Sequence, residues 1–162
     1  MISTKMAEAL NDQINAEMQS SYLYLSMATW FDAQGWEGMT KWMVGQAKEE
    51  DSHAHKIVRY ISEQQSRVLL KAIEQPKTEW SSPLEAFQDA LKHEQYITSR
   101  INNLFKLAKE DEDFATEGFL TWYIKEQVEE EATAAKIVLD LERIGSSMQG
   151  MYMLDHSLGA RQ

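Results

Sequence analysis

Apolar side chains recur along this chain at alternating intervals of three and four residues in four long segments. Such spacing places them on one face of an α-helix and leaves the polar side chains on the other. The pattern predicts helices over residues 3–33, 37–64, 83–110 and 114–144, and a short fifth helix over 147–158. Only 2 prolines and 7 glycines interrupt the 162 residues, which also favours long helices. We therefore expect an all-α fold.

The ends of these segments carry residues that start and stop helices. Ser3 is suited to cap the first helix, and Gly35 follows its last turn. The strongest signal opens the third helix, where Ser82 occupies the N-cap, Pro83 the first helical position and Glu85 the third.

The connections between the segments predict the topology. Short turns join the first helix to the second and the third to the fourth, so each of these pairs is expected to be antiparallel. Residues 65–82 contain Pro76 and show no helical pattern. About 18 extended residues reach roughly 60 Å, whereas a helix of about 28 residues is about 42 Å long. This segment can therefore cross the whole bundle, which predicts a four-helix bundle with one long crossover between helices 2 and 3.

The apolar face of every long helix is interrupted by polar side chains near its midpoint. The interrupting residues are Glu17, Glu50, His53, Glu94, Gln127 and Glu130. The glutamates and the Gln127/Glu130 pair lie within about two residues of the midpoints, or roughly 3 Å in height. In an antiparallel bundle, groups at mid-helix meet at one level whichever way each helix runs. Four acids and a histidine are therefore expected to converge at the bundle centre.

A buried cluster of carboxylates needs compensation, because each unpaired charge costs several kcal/mol. No Lys or Arg lies on the four apolar faces, so either the acids are protonated or cations lie between them. A pair of divalent metal ions is the simpler solution, and Glu50-x-x-His53 places two ligands on one helix face. An oxygen-rich pair with one imidazole suits iron or manganese, can take zinc and is poor for copper. A single Glu-x-x-His is a weak signal, so the prediction depends on the four acids at matched height.

Three further acids, Glu49, Glu126 and Glu129, lie beside the apolar faces. A solvated helix surface is the ordinary explanation for such residues. Their crowding with Glu50 and Glu130 is unfavourable unless cations are nearby, however, so we predict an accessory metal site next to the pair.

Two aromatic residues have more than one interpretation. Tyr24 lies about two helical turns from Glu17. A core tyrosine with a satisfied hydroxyl and a redox-active tyrosine near the metals are both consistent with this position. Trp122 is a similar but weaker candidate.

Charge and composition exclude several functions. The 16 Lys and Arg against 26 Asp and Glu give a formal net charge of −10, which argues against a nucleic-acid partner and attracts cations. No cysteine is present, which excludes disulfides, thiolate zinc sites, iron–sulfur clusters and thiol catalysis. The first residues lack the apolar core of a signal peptide, and no apolar run reaches 18 residues. We therefore expect a cytoplasmic protein with no membrane partner.

The set Glu17, Glu50-x-x-His53, Glu94 and Gln127-x-x-Glu130, with the long crossover and the short last helix, resembles the bacterial non-haem ferritins over essentially the whole chain. The resemblance implies a ferritin-like fold and an iron-storage protein with ferroxidase activity. Such a protein oxidises Fe(II) to Fe(III) with O2 or H2O2 at a di-iron centre within the subunit. It then deposits ferric oxyhydroxide mineral inside a cage of twenty-four identical subunits, assembled through dimers.

The same resemblance implies roles for individual ligands. Glu17, Glu50 and His53 would hold the first iron. Glu50 would bridge to a second iron, which Glu94 and Glu130 would hold. Together these residues would form the di-iron centre.

Further family features concern electron transfer and a transient third iron. The third iron site is implied to consist of Glu49, Glu126, Glu129 and Glu130. Tyr24 matches an electron-donating tyrosine of the family, and Trp122 also matches a family position.

The fourth helix departs from the general di-iron pattern, in which Glu-x-x-His occurs on two helices. Gln127 is expected to be a weak or absent ligand, so one iron would be loosely held, as suits a site through which iron passes. Bacterioferritins carry a haem-ligating Met at the position of Asp51, so no haem is expected.

Two other functions remain open from the sequence. A di-iron peroxidase or oxygenase would act on an organic or peroxide substrate, but it usually needs the second histidine that is absent here. A helical scaffold that binds metal only for structure would show no turnover.

The first helix has a second apolar face, which points away from the apolar face that is predicted to line the bundle core. Its members are Tyr22, Leu23, Met27 and Trp30. A second apolar face on a helix is usually covered by another protein surface. This face therefore predicts a dimer interface.

Overall fold

The computed structural model describes residues 1–160, and these residues form five α-helices and no strand. The helices are α1 (Thr4–Ala33), α2 (Glu37–Glu63), α3 (Pro83–Glu110), α4 (Phe114–Ile144) and α5 (Met148–Gly159). The predicted all-α class is confirmed, and the helix bounds differ from the predicted ones by one residue at most. None of the described helices has both the length and the apolar character needed to cross a membrane.

The four long helices form a bundle whose apolar core is divided in two. α1 packs along α2, α3 packs along α4, and α5 lies against the start of α2. One apolar cluster includes Met27, Phe31, Met43, Phe87 and Leu141. The other includes Leu10, Ile57, Ile101 and Leu120. Along each long helix, one cluster ends before the polar mid-helix residues and the other begins after them, so a polar layer separates the two.

Side chains cap the helices where the sequence predicts them. Ser3 precedes α1, and its hydroxyl accepts a hydrogen bond from the backbone N–H of Met6 at 3.1 Å. Ser82 does the same for α3 by accepting from the N–H of Glu85 at 3.1 Å. Pro83 is the first residue of α3, where its missing N–H has no cost.

The start of α2 is capped by a residue from another helix. Trp36 precedes α2 and provides no side-chain cap. Instead the N–H of Met39 donates to Oδ1 of Asp155, a residue of α5, at 2.8 Å. The two helices approach closely at Gly38, where an added Cβ would overlap the backbone oxygen of Asp155. The glycine is therefore required for α5 to reach and cap α2.

The crossover, residues 64–82, has no regular secondary structure and lies beside α1. Polar side chains of α1 hold its backbone by hydrogen bonds, namely those of Asn11, Asn15, Gln19 and Ser26. Asn11 and Gln19 also accept from crossover N–H groups. At the end of the crossover, Trp80 is buried against Trp30 with ring centres 5.8 Å apart. Hydrogen bonds to the side chains of α1 thus take the place of the backbone hydrogen bonds that regular secondary structure would provide.

The second apolar face of α1 is only partly directed outward. The prediction that Met27 and Trp30 lie on an outer surface is wrong: they are 0% and 8% exposed and belong to one apolar cluster of the subunit. Trp30 is covered by Trp80, a tertiary contact that helical spacing does not reveal. Tyr22 is 48% exposed, and Leu23 is half-buried.

Replacing Gly38 with alanine tests the contact between α2 and α5. Because the new methyl group would overlap backbone atoms, α5 would have to move away and the Asp155 cap would be lost. We expect the free energy of unfolding to fall by about 2 kcal/mol or more, measured by chemical denaturation. Gly45→Ala is the matched control on α2, since its methyl group would find open space. This control should gain about 0.5–1 kcal/mol from higher helix propensity. Similar stability of the two variants would contradict the close approach.

Candidate metal centre

Each long helix contributes to the polar layer at the centre of the bundle. α1 provides Glu17, α2 provides Glu50 and His53, and α3 provides Glu94. The residues from α4 are Gln127 and Glu130. All six side chains are at most 8% exposed, so they point inward and do not form a water-filled defect at the end of the core. The structure therefore brings together the residues that the spacing argument selected for the paired site.

The carboxylate and imidazole atoms form adjacent groups of a size that suits a metal ion. One group consists of Glu17, Glu50 and His53, with ligand atoms within 4.8 Å of one another. A second consists of Glu50, Glu94 and Glu130 under the same limit. Glu50 belongs to both groups, so its carboxylate lies between two neighbouring positions for a cation. This arrangement fits two metal ions with one shared ligand.

Three of the four glutamates accept a hydrogen bond from a buried glutamine. Nε2 of Gln13 donates to Glu17 at 2.8 Å, and Nε2 of Gln46 donates to Glu130 at 2.9 Å. These bonds occupy one oxygen of each carboxylate and leave the other oxygen available. The glutamines therefore fix the carboxylates without neutralising them.

The third glutamine is Gln127, whose Nε2 donates to Oε2 of Glu94 at 3.2 Å and lies 3.3 Å from the hydroxyl of Thr98. The amide nitrogen thus faces the carboxylate. In this geometry the amide nitrogen of Gln127 orients the Glu94 carboxylate. The expectation that Gln127 is a weak or absent ligand stays a prediction.

Glu50 differs from the other three acids because it lacks such a partner. With both groups ionised, no N–H or O–H among the described residues donates to either of its oxygens, and the same holds for Oε2 of Glu17. The Glu17 and Glu50 carboxylates are within hydrogen-bonding reach of each other, so a proton carried by one is shared with the other. The nearest base to Glu50 is His53, with Nδ1 3.6 Å from Oε2. Buried polar atoms are almost always paired, so three bare carboxylate oxygens at one point call for a ligand. A cation would satisfy them where no donor among the described residues does.

Burial dominates the electrostatics of the glutamates. It raises the pKa of Glu17, Glu50 and Glu94 above their usual range, and the charges of neighbouring glutamates raise it further. Burial, and next the charge of Glu94, raises the pKa of Glu130 to about 7. A divalent ion among these groups would favour their ionised forms and oppose both effects. The cluster is therefore unfavourable as a set of bare anions and becomes compensated when cations bind.

The fold agrees with that of known proteins. Residues 7–144 match the family described as Ferritin-like domain. Over 161 residues the chain is 40% identical to a bacterial non-heme ferritin of Staphylococcus aureus (strain USA300). The match covers 99% of this chain and 97% of that protein. It is 42% identical to the corresponding protein of Staphylococcus haemolyticus, with the same coverage. This chain belongs to the ferritin family.

Solved structures agree with this assignment. An open pore ferritin from the hyperthermophilic archaeon Archaeoglobus fulgidus has a TM-score of 0.99 to this chain and is 50% identical to it, with 100% of both chains covered. The resemblance drawn from the sequence motifs is thereby confirmed. The long crossover and the short last helix belong to the shared fold.

The accessory acids of this ferritin are only partly brought together. Glu126 is half-buried, and its carboxylate forms a third metal-sized group with His53 and Glu130. Glu49 is half-buried, and its charge raises the pKa of Glu50 and Glu130. Glu129 is exposed. Neither Glu49 nor Glu129 joins a three-residue group within the described part of the chain. Glu129 immediately precedes Glu130, and consecutive residues point about 100° apart around a helix.

Tyr24 is fully buried and hydrogen-bonded to the centre. Its hydroxyl donates to Oε1 of Glu94. Burial, and next the charge of Glu94, raises the pKa of Tyr24 well above its usual value, so the phenol stays protonated. The structure thus provides the satisfied hydroxyl expected of a core tyrosine, and its partner is one of the predicted metal ligands.

Trp122 is half-buried and lies on the other side of His53. The two rings meet edge-on with centres 5.2 Å apart, and Nζ of Lys56 lies 3.5 Å from the centre of the indole ring. A cation over an aromatic face is attracted to it, and the same charge opposes the removal of an electron from the ring. This contact therefore disfavours oxidation of the Trp122 ring.

The helical spacing argument alone misses Gln13 and Gln46 as functional residues. Each lies four residues before a glutamate of the centre on its own helix, Gln13 before Glu17 and Gln46 before Glu50. Residues four apart share a helix face, so this spacing is a usable signal. Gln46, however, donates across the bundle to Glu130, 84 residues away, which the spacing does not indicate.

The raised pKa of Glu130 predicts a pH dependence of the metal-free protein. Between its ordinary value of 4.5 and about 7, folded Glu130 holds a proton that the unfolded chain releases. Protonation then favours the folded state, so this contribution is present at low pH and is lost as the pH rises through about 7. We expect the wild type to gain stability relative to Glu130→Gln as the pH is lowered, measured by denaturation with a chelator present. Parallel stability curves for the two proteins would contradict this prediction.

Proposed function

We propose that this protein stores iron, oxidising Fe(II) to Fe(III) at the paired site and depositing ferric oxyhydroxide inside an oligomeric cage. The observation that carries the proposal is the set of three buried carboxylate oxygens on Glu17 and Glu50 to which, with both groups ionised, no donor among the described residues hydrogen-bonds. They lie where two metal-sized groups share the Glu50 carboxylate. The relatives named bacterial non-heme ferritins support iron as the metal.

The proposed ligand roles follow the two groups. Glu17, Glu50 and His53 would hold the first Fe(II), and Glu94 and Glu130 would hold the second, with Glu50 shared between them. Carboxylates stabilise the higher charge of Fe(III), so the donor set favours the oxidised product. Hydrogen bonds from the glutamines keep the ligands in place before iron arrives.

The reaction balances with O2 or with H2O2 as the oxidant. Two Fe(II) ions give up one electron each. The two electrons and two protons reduce O2 to H2O2, or they reduce H2O2 to two molecules of water. Iron is both the substrate and the stored material in this scheme, so the site has to release Fe(III) after each turnover. The indirect role of Gln127 at the second position suits such release.

Tyr24 is proposed to supply a further electron to the centre. Its high pKa keeps the phenol neutral, so the electron has to leave together with the proton. The hydroxyl already donates to Oε1 of Glu94, which is therefore the acceptor for that proton. The products are a neutral tyrosyl radical and a protonated Glu94. With two electrons from the iron pair and one from a third Fe(II), the Tyr24 electron completes the reduction of O2, with four protons, to two molecules of water.

A transient third iron is proposed beside the pair. Glu126 supports it directly, because its carboxylate groups with His53 and Glu130. Glu49 adds negative charge nearby, and the exposed Glu129 would bind iron at the outer edge of the site. Such a site would link the buried centre to the place where mineral forms.

The cage is proposed to contain twenty-four subunits assembled through dimers. Exposed apolar residues on α1 and the crossover support an interface there, and they include Tyr22, Leu25, Leu69, Leu70 and Ile73. Each is at least 40% exposed in the single subunit. Surfaces of this kind are commonly covered in an assembly.

Aerobic addition of Fe(II) tests storage. We expect many more than two iron atoms per chain to remain in solution as an amber ferric product, measured by iron analysis of the purified particle. Uptake that stops at two iron atoms per chain would contradict storage while leaving a di-iron catalyst possible.

Replacing Glu94 tests the oxidation step. Glu94→Gln should slow Fe(II) oxidation by about 10-fold or more, because it removes the charge of a proposed ligand. Glu142→Gln, an exposed residue of α4, should behave as wild type.

Replacing Tyr24 with phenylalanine tests its redox role. Tyr24→Phe keeps the ring and removes the hydroxyl that donates to Glu94. We expect Fe(II) binding to persist, while the tyrosyl radical seen by electron paramagnetic resonance during the first turnover disappears. Tyr22→Phe, an exposed tyrosine on the same helix, should retain the radical. A radical that survives in Tyr24→Phe would exclude this assignment.

A further inference from the structure

A hydrogen-bonded chain connects the metal centre to α3 through a buried amide. Gln13 is 0% exposed and lies between two partners. Its Nε2 donates to Oε1 of Glu17 at 2.8 Å, and its Oε1 accepts from Nε of Arg100 at 2.9 Å. The contact with Arg100 joins α1 to α3 across 87 residues of sequence.

Arg100 determines which way the Gln13 amide points. The two ends of a glutamine amide have nearly the same shape, so packing alone does not distinguish them. A guanidinium only donates hydrogen bonds, so the amide oxygen has to face Arg100 and the amide nitrogen has to face Glu17. With the amide reversed, its oxygen would oppose the Glu17 carboxylate and its N–H groups would oppose Arg100.

Arg100 is itself held in place from its own helix. Its Nη1 donates to the hydroxyl of Tyr96 at 3.1 Å, and the guanidinium lies 5.6 Å from the centre of the Tyr96 ring. Tyr96 is one helical turn away on α3. These contacts favour a position of the guanidinium from which its Nε reaches the Gln13 amide.

The orientation of the Gln13 amide determines which oxygen of Glu17 is free to bind a metal ion. Because Oε1 of Glu17 accepts the Gln13 amide, Oε2 is the oxygen that no donor among the described residues reaches. Glu17 belongs, through one of its carboxylate oxygens, to the metal-sized group with Glu50 and His53. Fixing one oxygen sets the direction of the other. We propose that Arg100 is a positioning residue that sets the Gln13 amide so that Glu17 presents Oε2 to the first metal ion. This inference rests on the proposed function.

The positioning role and a simple charge effect predict opposite results. A positive charge near a cation site opposes cation binding, so on charge alone the removal of Arg100 would strengthen metal affinity. If Arg100 instead orients Gln13, its removal leaves the amide free to reverse and weakens metal affinity. The sign of the change in affinity therefore distinguishes the two explanations.

Cobalt binding to the assembled, metal-free protein provides the test, since Co(II) reports affinity without turnover. We expect Arg100→Met to weaken binding of the first Co(II) by about 10-fold, measured by titration of its visible absorbance. Arg100→Lys keeps a donor and should recover most of the affinity. Lys106→Met is the matched control, because it removes an exposed charge from the same helix. Thermal unfolding followed by circular dichroism would show that each variant is folded.

A double-mutant cycle makes the test specific to the amide. In a Gln13→Met background, Arg100→Met should no longer weaken Co(II) binding, because the group that it orients is gone. Unchanged or tighter binding in Arg100→Met alone would overturn the positioning role, as would an equal loss in both backgrounds. If the wild type takes up no Co(II), the proposed metal function fails together with this inference. If only the Arg100 effect is missing, the inference fails alone.

Discussion

Four carboxylates buried at one level of an apolar bundle are the constraint on which this molecule depends. Burial and mutual repulsion raise the pKa of each one, and both effects oppose folding when the groups are ionised. Buried glutamines satisfy part of the hydrogen-bonding need, but Glu50 has no such partner. The centre is thus an incomplete polar network among the described residues, and divalent cations would complete it. Cation binding and stability are consequently linked.

The two apolar clusters make this arrangement tolerable. They lie on either side of the polar layer and bury large side chains from all four long helices, such as Phe31 and Phe87 in one cluster and Ile57 and Ile101 in the other. Their burial supplies the stability that the layer itself lacks. Contacts at the ends of the bundle add to it, since α5 caps α2, the helix that carries both Glu50 and His53.

The hydrogen-bond network extends the metal centre beyond the atoms that would touch iron. Glu94 is contacted by Tyr24 and Gln127, while Glu17 is reached from Arg100 through Gln13. Glu94 and Glu17 are therefore supported from different places in the fold. Such differences would allow the two proposed metal positions to differ in strength, as the proposed passage of iron through the site requires.

Much of this structure follows from the spacing of apolar and acidic residues along the chain. A helix converts sequence position into height and direction, so the periodic apolar positions predicted the helices and the mid-helix acids predicted a common level. The length of the crossover predicted the topology, and the absence of basic residues on the apolar faces predicted cations. Glu17, Glu50, His53, Glu94 and Glu130 therefore come together as expected.

Other features were decided only by the packing of helices against one another. These include which oxygen of Glu17 is left bare, the reach of Arg100 to Gln13 and the burial of Trp30 beneath Trp80. They depend on side-chain rotamers and on segments far apart in sequence, neither of which a local pattern records. The sequence by itself determined that acids meet in the core, because helical geometry is regular. Tertiary structure alone decided which atoms remain free to bind, because a hydrogen bond depends on distances of a fraction of an ångström.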